Sequence, residues 1–595
     1  MQQSKPIRPV IPSWSALAAW LCVAALCLPT SLAARQASDT VAPQTTHTLK
    51  SQTLVSAKQF MVSTAHPDAT QAGYAILKAG GSAVDAAIAV QLVLGLVEPQ
   101  ASGLGGGALM VLWNADKQQL VALDGRETAP QAVTPDLFLD ELGEPLNFID
   151  AVVGGRSVGT PGTVALLAHA HTNYGKLPWQ DLFTAARQLA TDGFVVTAHM
   201  AEQIADSADS LRTFPATQQY FFTPNGKPLP AGFVRKNPAY AKTLDVIAKQ
   251  GAKGFYQGEI AQAIVDTVSK AATNPGKLAL QDLADYQVKA REVLCVDYRQ
   301  HEVCGMGPPT SGTVAIGQIL GMLSHFDLKK LGADNPQSWR LIGDATRLAF
   351  ADRGRYLADS DFVDVPVQAL LAPAYLKARA QALHGEKALD TVAPGEPLPK
   401  VSQQWADDAA LELPSTSHFV IVDAKGNVVS LTSTIENGFG SRLMTNGFLL
   451  NNELTDFSFK AAEDGVPVAN RVEAGKRPRS SMSPTIVLKD GKPYMALGSP
   501  GGPRIISYVA NALVAQLDWG YNIQQAFSMP HRVNLFGRYE LEAGTSAAAI
   551  QPALKALGYE VTTSTMTSGL SGVVITPQGL QGAADPRRDG TVLGD

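Results

Sequence analysis

Two short β-rich runs stand out in the polar and apolar pattern. His418-Phe-Val-Ile-Val-Asp423 and Val428-Val-Ser-Leu-Thr-Ser-Thr434 read as strands, with Ala424-Lys-Gly426 as the turn between them. A three-residue loop pairs Asp423 with Asn427. Counting back along both strands then sets Thr416 opposite Thr434. Facing residues of an antiparallel pair project to the same side of the sheet, so two hydroxyls are expected side by side. A one-residue change in loop length breaks this pairing.

The pattern elsewhere gives a coarse outline. From Ala72 to about Val97 the chain is strongly apolar and helix-like, and its centre, Val84 to Leu94, reads as buried. Gly103-Leu-Gly105-Gly-Gly107 runs into Ala108-Leu-Met-Val-Leu-Trp113, a loop entering a strand. That order excludes a dinucleotide fingerprint, which needs strand, glycines, then helix. Residues 175–385 read as mostly helical. Residues 385–413 hold Pro, Asp and Glu with little periodicity and read as an exposed linker. Residues 416–595 read as many short strands with one clear helix after Gly502, and no internal repeat is visible. Alone, this supports a mixed α and β fold, compatible with a four-layer αββα sandwich.

The chemistry begins at Pro414-Ser415-Thr416-Ser417-His418, a hydroxyl cluster that opens an apolar strand at the end of the expected linker. Cutting the Ser415–Thr416 bond makes Thr416 an N-terminal threonine. Its own α-amino group then serves as base for its own hydroxyl. An α-amino pKa of about 7.7–8.0 suits that role near neutral pH. The hairpin alone reads first as an ordinary Thr-rich surface hairpin.

The rest of the C-terminal third resembles the γ-glutamyltranspeptidase family. The resemblance rests on Thr416-Ser417-His418, Leu449-Leu-Asn-Asn-Glu453-Leu-Thr-Asp456-Phe-Ser458, Lys476-Arg-Pro-Arg-Ser480-Ser481-Met-Ser-Pro-Thr485 and Gly498-Ser-Pro-Gly501-Gly502-Pro-Arg504-Ile505. Upstream, Gly103–Gly107, Asp124-Gly-Arg126-Glu-Thr-Ala-Pro130 and Gly159-Thr-Pro-Gly-Thr163 follow in the family's order.

The resemblance implies an α+β, four-layer αββα sandwich of the N-terminal-nucleophile hydrolase type. It implies a large subunit, 56–415, and a small subunit, 416–595, cut from one precursor and sharing one globular fold. It implies a self-processing γ-glutamyl transferase/hydrolase without cofactor or metal, acting on glutathione and other γ-glutamyl compounds. Water, an amino acid or a peptide accepts the acyl group.

Residue by residue, the resemblance makes Ser415 and Thr416 the autocleavage pair and Thr416 the nucleophile. Thr434 assists it. Gly501 and Gly502, between the strand Pro493–Leu497 and a helix beginning near Pro503, form the oxyanion hole; Pro at a first helical position with bare N–H groups before it is an anion-receptive corner. Arg126, Ser480 and Ser481 hold the donor's α-carboxylate. Glu453 and Asp456 hold its α-ammonium. One position departs from the pattern: where many members carry Asn, this chain has Glu436, a further carboxylate for the ammonium pocket. The segment from Phe457 to Lys476 is also shorter than in members with a full lid loop. Two other functions compete. One is a cephalosporin- or glutaryl-type acylase on the same scaffold, whose donor has no ammonium for those carboxylates. The other is a periplasmic solute-binding protein, which needs no cleavage.

Composition changes this picture little. Of 595 residues, 45% are hydrophobic and 17% charged, and the net charge of −5 gives no footprint for nucleic acid. The N-terminus reads as a secretory signal over 1–33: Lys5 and Arg8, an apolar stretch from Trp14 to Leu28, then small residues at Ser31-Leu-Ala33. A flexible lead follows over 34–55, and the expected address is the periplasm or beyond. Signal removal leaves Cys295 and Cys304. A two-residue loop at Arg299-Gln300 sets them face to face, which allows a disulfide or a free thiol pair. No Cys/His spacing points to zinc, and His169 and His171 do not share a helix face.

Overall fold

The computed structural model describes residues 49–397, 403–408, 410 and 415–595. The expected signal peptide lies outside them, as do residues 34–48 of the lead and parts of the linker. Two seven-stranded sheets form the centre, and every strand pairing within them is antiparallel. One runs in the order 591–594, 61–64, 417–422, 428–434, 107–114, 119–125, 289–291. The other runs 55–57, 579–584, 571–576, 492–498, 485–489, 301–306, 293–298.

The strand 417–422 shows why the sheets stack. Phe419 and Ile421 join a core with the helices, while Val420 and Val422 join a core with Ile486, Met495 and Val573 of the other sheet. Both faces are apolar, so both are covered. Pro67–Lys78, Ala83–Val97 and Thr163–Tyr174 pack on one sheet, and Gly312–Leu323, Arg504–Leu517 and Ile523–Ser528 on the other. The result is the expected αββα sandwich.

The hairpin register is as expected. Ser417 pairs with Ser433 and Val422 with Val428. Asp423 N–H donates to Asn427 O at 3.0 Å, and Gly426 takes φ 86°, as a three-residue loop requires. The Asp423 carboxylate accepts from Lys425 and Asn427 N–H at 2.9 and 3.0 Å and from Ala83 N–H at 2.9 Å, which ties the turn to the start of a buried helix.

Four expectations change. The apolar stretch from Ala72 to Val97 is two helices, because Gly80 turns at φ 84° and Ser82 caps a second helix. Ser82 Oγ accepts from Asp85 N–H at 3.2 Å, and the Asp85 carboxylate accepts from Ser82 N–H at 2.8 Å. Every position of Ala83–Val97 is buried. The C-terminal third holds Ile523–Ser528 and Gln551–Leu557 besides the helix after Gly502. The helix after Gly502 begins at Arg504, so Pro503 is its cap and not its first residue. The linker is not simply exposed. Trp405 is buried against Leu294 and Ala469, and Asp408 pairs with the buried Arg479 at 2.8 Å.

The cysteines form a disulfide with Cα atoms 4.1 Å apart. Arg299 and Gln300 both have positive φ, 55° and 83°, so the hairpin turns in two residues and sets Cys295 opposite Cys304.

Candidate functional site

The site begins where strand 417–422 begins. Thr416 is buried, and its Oγ1 lies 3.3 Å from Thr434 Oγ1. Both hydroxyls donate to the Ser415 carbonyl oxygen, Thr434 at 2.7 Å and Thr416 in a close contact. Thr434 Oγ1 in turn accepts from Glu436 N–H at 2.9 Å, which fixes its rotamer. Ser415 is itself buried, its hydroxyl donating to Gln100 O at 2.7 Å. The Gly103–Gly107 run supplies the neighbouring backbone. Gly107 pairs with Thr434, and a Cβ on Gly106 would sit 2.0 Å from Thr434 O. Only glycine lets the chain pass so close.

Strand 492–498 brings the glycine turn to the same end of the sandwich. Gly498 lies under the His418 ring, two residues from Thr416. Gly501 and Gly502 then take φ 137° and 56°, and helix Arg504–Leu517 follows. Their N–H groups precede a helix start, the geometry that receives negative charge.

Beside this end lies a buried charge cluster. Arg126 pairs with Glu453 and Asp456, both in the turn Glu453–Asp456. It also donates to Pro478 O at 3.2 Å and Arg479 O at 2.9 Å. Those two carbonyls lead directly into Ser480 and Ser481. Ser481 Oγ accepts from Arg353 Nη2 at 2.8 Å, and Ser480 Oγ from Met482 N–H at 3.1 Å. Arg126, assigned to a carboxylate, and Glu453 and Asp456, assigned to an ammonium, are therefore ion-paired with one another. Asn451 holds the frame: its Nδ2 donates to Gly105 O and Gly159 O at 2.7 and 2.9 Å, and its Oδ1 accepts from Glu453 N–H at 3.0 Å.

Glu436 joins this cluster. Asn452 Nδ2 donates to its carboxylate, and its φ is 73°, a region that favours Asn over Glu. Arg442, lowered to about 10 by burial, is partly held up by the Glu436 charge.

Sequence reasoning missed Glu127, although it lies within the quoted Asp124–Pro130 motif. Its carboxyl is buried, and burial pushes it up to about 7 against the pull of Arg126. It faces the carboxyl of Glu453, which burial also raises. Arg353 was missed as well, since nothing local marks it among the arginines of helix Pro336–Tyr356.

The chain matches the sequence model of the family described as gamma-glutamyltranspeptidase over residues 69–595. It is 38% identical over 548 residues to a glutathione hydrolase proenzyme of Escherichia coli strain K12, spanning 90% of this chain and 91% of that protein. It is 36% identical over 550 residues to a glutathione hydrolase proenzyme of Bacillus subtilis strain 168, spanning 90% and 92%. Its fold superposes on the crystal structure of cephalosporin acylase from Bacillus halodurans with a TM-score of 0.80 and 27% identity, over 93% of this chain and 99% of that one.

Proposed function

Because this chain belongs to the γ-glutamyltranspeptidase family, we propose that it is a self-processing γ-glutamyl transferase/hydrolase acting on glutathione and related γ-glutamyl amides. The observation that carries this reading is the convergence of the Thr416 and Thr434 hydroxyls on the Ser415 carbonyl. Processing starts when Thr416 Oγ1 attacks that carbonyl carbon while Thr434 donates to its oxygen. The C–N bond breaks, the hydroxyl proton passes to the departing nitrogen, and an ester links Ser415 to Thr416. Water hydrolyses the ester, leaving a Ser415 carboxylate and a free Thr416 α-amine. Ser415 and Thr416 are both buried, which disfavours cleavage by a second protein. The cut separates the proposed large subunit, 56–415, from the proposed small subunit, 416–595, and the proposed signal over 1–33 delivers the protein to the periplasm or beyond.

In turnover the α-amine takes the Thr416 proton as the hydroxyl attacks the donor's γ-carbonyl. The N–H groups of Gly501 and Gly502 receive the oxyanion. The donor amine leaves with the proton, and water or an acceptor amine then attacks the γ-glutamyl ester. Arg126, Ser480 and Ser481 hold the donor's α-carboxylate; Glu453, Asp456 and Glu436 hold its α-ammonium. The scaffold is shared with a cephalosporin acylase, but a cluster of buried carboxylates suits a donor that carries a cation. A panel of γ-glutamyl and glutaryl donors, with and without a dipeptide acceptor, tests the assignment. A preference for the glutaryl donor overturns it.

Two predictions concern the carboxylates. Glu436→Gln keeps the acceptor for Asn452 and removes the charge. One charge-assisted contact corresponds to about tenfold to a hundredfold, so the ratio of kcat/KM for γ-glutamyl over glutaryl donors should shrink by that order. An unchanged ratio takes Glu436 out of the ammonium pocket. Burial pushes the Glu127 carboxyl up to about 7, so its negative charge grows as pH rises through that value. KM for a γ-glutamyl donor should therefore fall as pH rises through about 7, and Glu127→Gln should flatten that dependence. Titration series of KM for both proteins decide it.

A further inference from the structure

The face of strand 417–422 opposite Thr416 carries a second buried polar chain. Ser417 Oγ donates to Glu98 Oε2 at 2.9 Å and accepts from Ser102 Oγ at 3.1 Å. Glu98 ends helix Ala83–Val97 and is fully buried. Arg588, near the C-terminus, is the charge that most opposes the effect of burial on Glu98. The Arg588 guanidinium is buried too, and its Nη1 donates to Thr416 O at 3.0 Å. Its Nε and Nη2 find no partner among the described residues. A buried cation with idle donors is held at a real energetic cost. Gly569 makes room for it: a Cβ there would lie 2.9 Å from Arg588 Cδ and 2.6 Å from Pro500 Cγ. Arg588 thus reaches the Thr416 carbonyl beside Gly569, which also packs close to Pro500 of the turn Ser499–Gly502.

Resting on the reading of Thr416 as nucleophile, we propose that Arg588, on the Thr416 carbonyl, is a positioning residue that fixes Thr416 against the glycine turn once the chain has been cut, with Glu98 holding the next residue through the Ser417 hydroxyl. Before cleavage Thr416 is tethered on both sides, and Ser415 is anchored on Gln100. Cleavage frees the N-terminal side and leaves the residue held from its carbonyl onward. Strand pairing begins only at Ser417. The contact from Arg588 to the Thr416 carbonyl survives the cut. Its loss lets the new terminus wander relative to the oxyanion donors, which lowers the fraction of reactive geometries. The donor's own contacts, to Arg126 and its partners, are untouched.

Arg588→Ala should therefore self-process, yet lose about tenfold to a hundredfold in kcat with KM little changed. Millimolar guanidinium chloride should restore part of that kcat, and equimolar sodium chloride should not. If Arg588→Ala does not fold, Glu98→Gln decides: it keeps an acceptor for Ser417, and its kcat should fall at constant KM. An unchanged kcat in Arg588→Ala, or in Glu98→Gln where the first variant is lost, overturns the inference. So does an equal loss in kcat and processing without rescue. Wild-type protein that turns over donors without a cut at Ser415–Thr416 overturns the underlying nucleophile reading instead.

Discussion

Thr416→Ala should remain a single chain and turn over no γ-glutamyl donor. The same oxygen serves twice, first on the Ser415 carbonyl and then on the donor. In the intact chain it already lies in contact with that carbonyl, with Thr434 donating to the same oxygen at 2.7 Å. Removing an activated hydroxyl nucleophile lowers kcat on the order of a millionfold. Thr434 cannot substitute, because cleavage places no free amine on it. Stability should change little, since the substitution removes one partner of an exchangeable hydroxyl pair. A denaturing gel and N-terminal sequencing check the first part: the wild-type small fragment should begin Thr-Ser-His-Phe, and the variant should give no fragment. Wild-type protein that stays intact and fully active contradicts the mechanism.

Arg126→Ala should lose donor kcat/KM while still cutting itself. The guanidinium pairs with Glu453 and Asp456 and donates to Pro478 O and Arg479 O, away from Ser415 and Thr416. Truncating one partner of a buried charge-assisted contact costs about 2–5 kcal/mol, a loss of roughly thirtyfold to several thousandfold in kcat/KM. A second effect accompanies it. Glu453 and Asp456 lose the guanidinium they pair with, and an uncompensated buried charge destabilises by about 3–5 kcal/mol. That penalty shrinks when the carboxylates take up protons, so the Tm deficit of the variant should narrow as pH falls. Steady-state kinetics on a γ-glutamyl anilide and thermal melts across pH measure both. Wild-type donor kinetics in the variant would move the acyl pocket elsewhere.

The parts of this site that were legible in the sequence are those set by short-range rules. A three-residue loop and a two-residue side-chain period set Ser417 opposite Ser433 and so bring Thr416 beside Thr434. A two-residue loop fixes Cys295 opposite Cys304. The motif resemblance reached Arg126, Glu453, Asp456, Ser480 and Ser481 one by one. It did not reveal that Arg126 is already paired with two of them, because those contacts join residues more than 300 apart in the chain. Glu98, Glu127 and Arg588 stayed hidden for a related reason. Each is an ordinary charged residue in sequence, and burial in the assembled sandwich is what makes it unusual. The break between the first two helices was readable in Gly80-Gly81-Ser82. The strong apolar run on its far side masked it.

Trapping the acyl-enzyme tests the central claim most directly. Mature protein is mixed with a γ-glutamyl anilide, quenched in acid within the first turnovers, digested and weighed by mass spectrometry. The account predicts a γ-glutamyl group on the peptide that begins with Thr416, carried by its side chain. Steady turnover with no such adduct, or with the adduct on another residue, contradicts it.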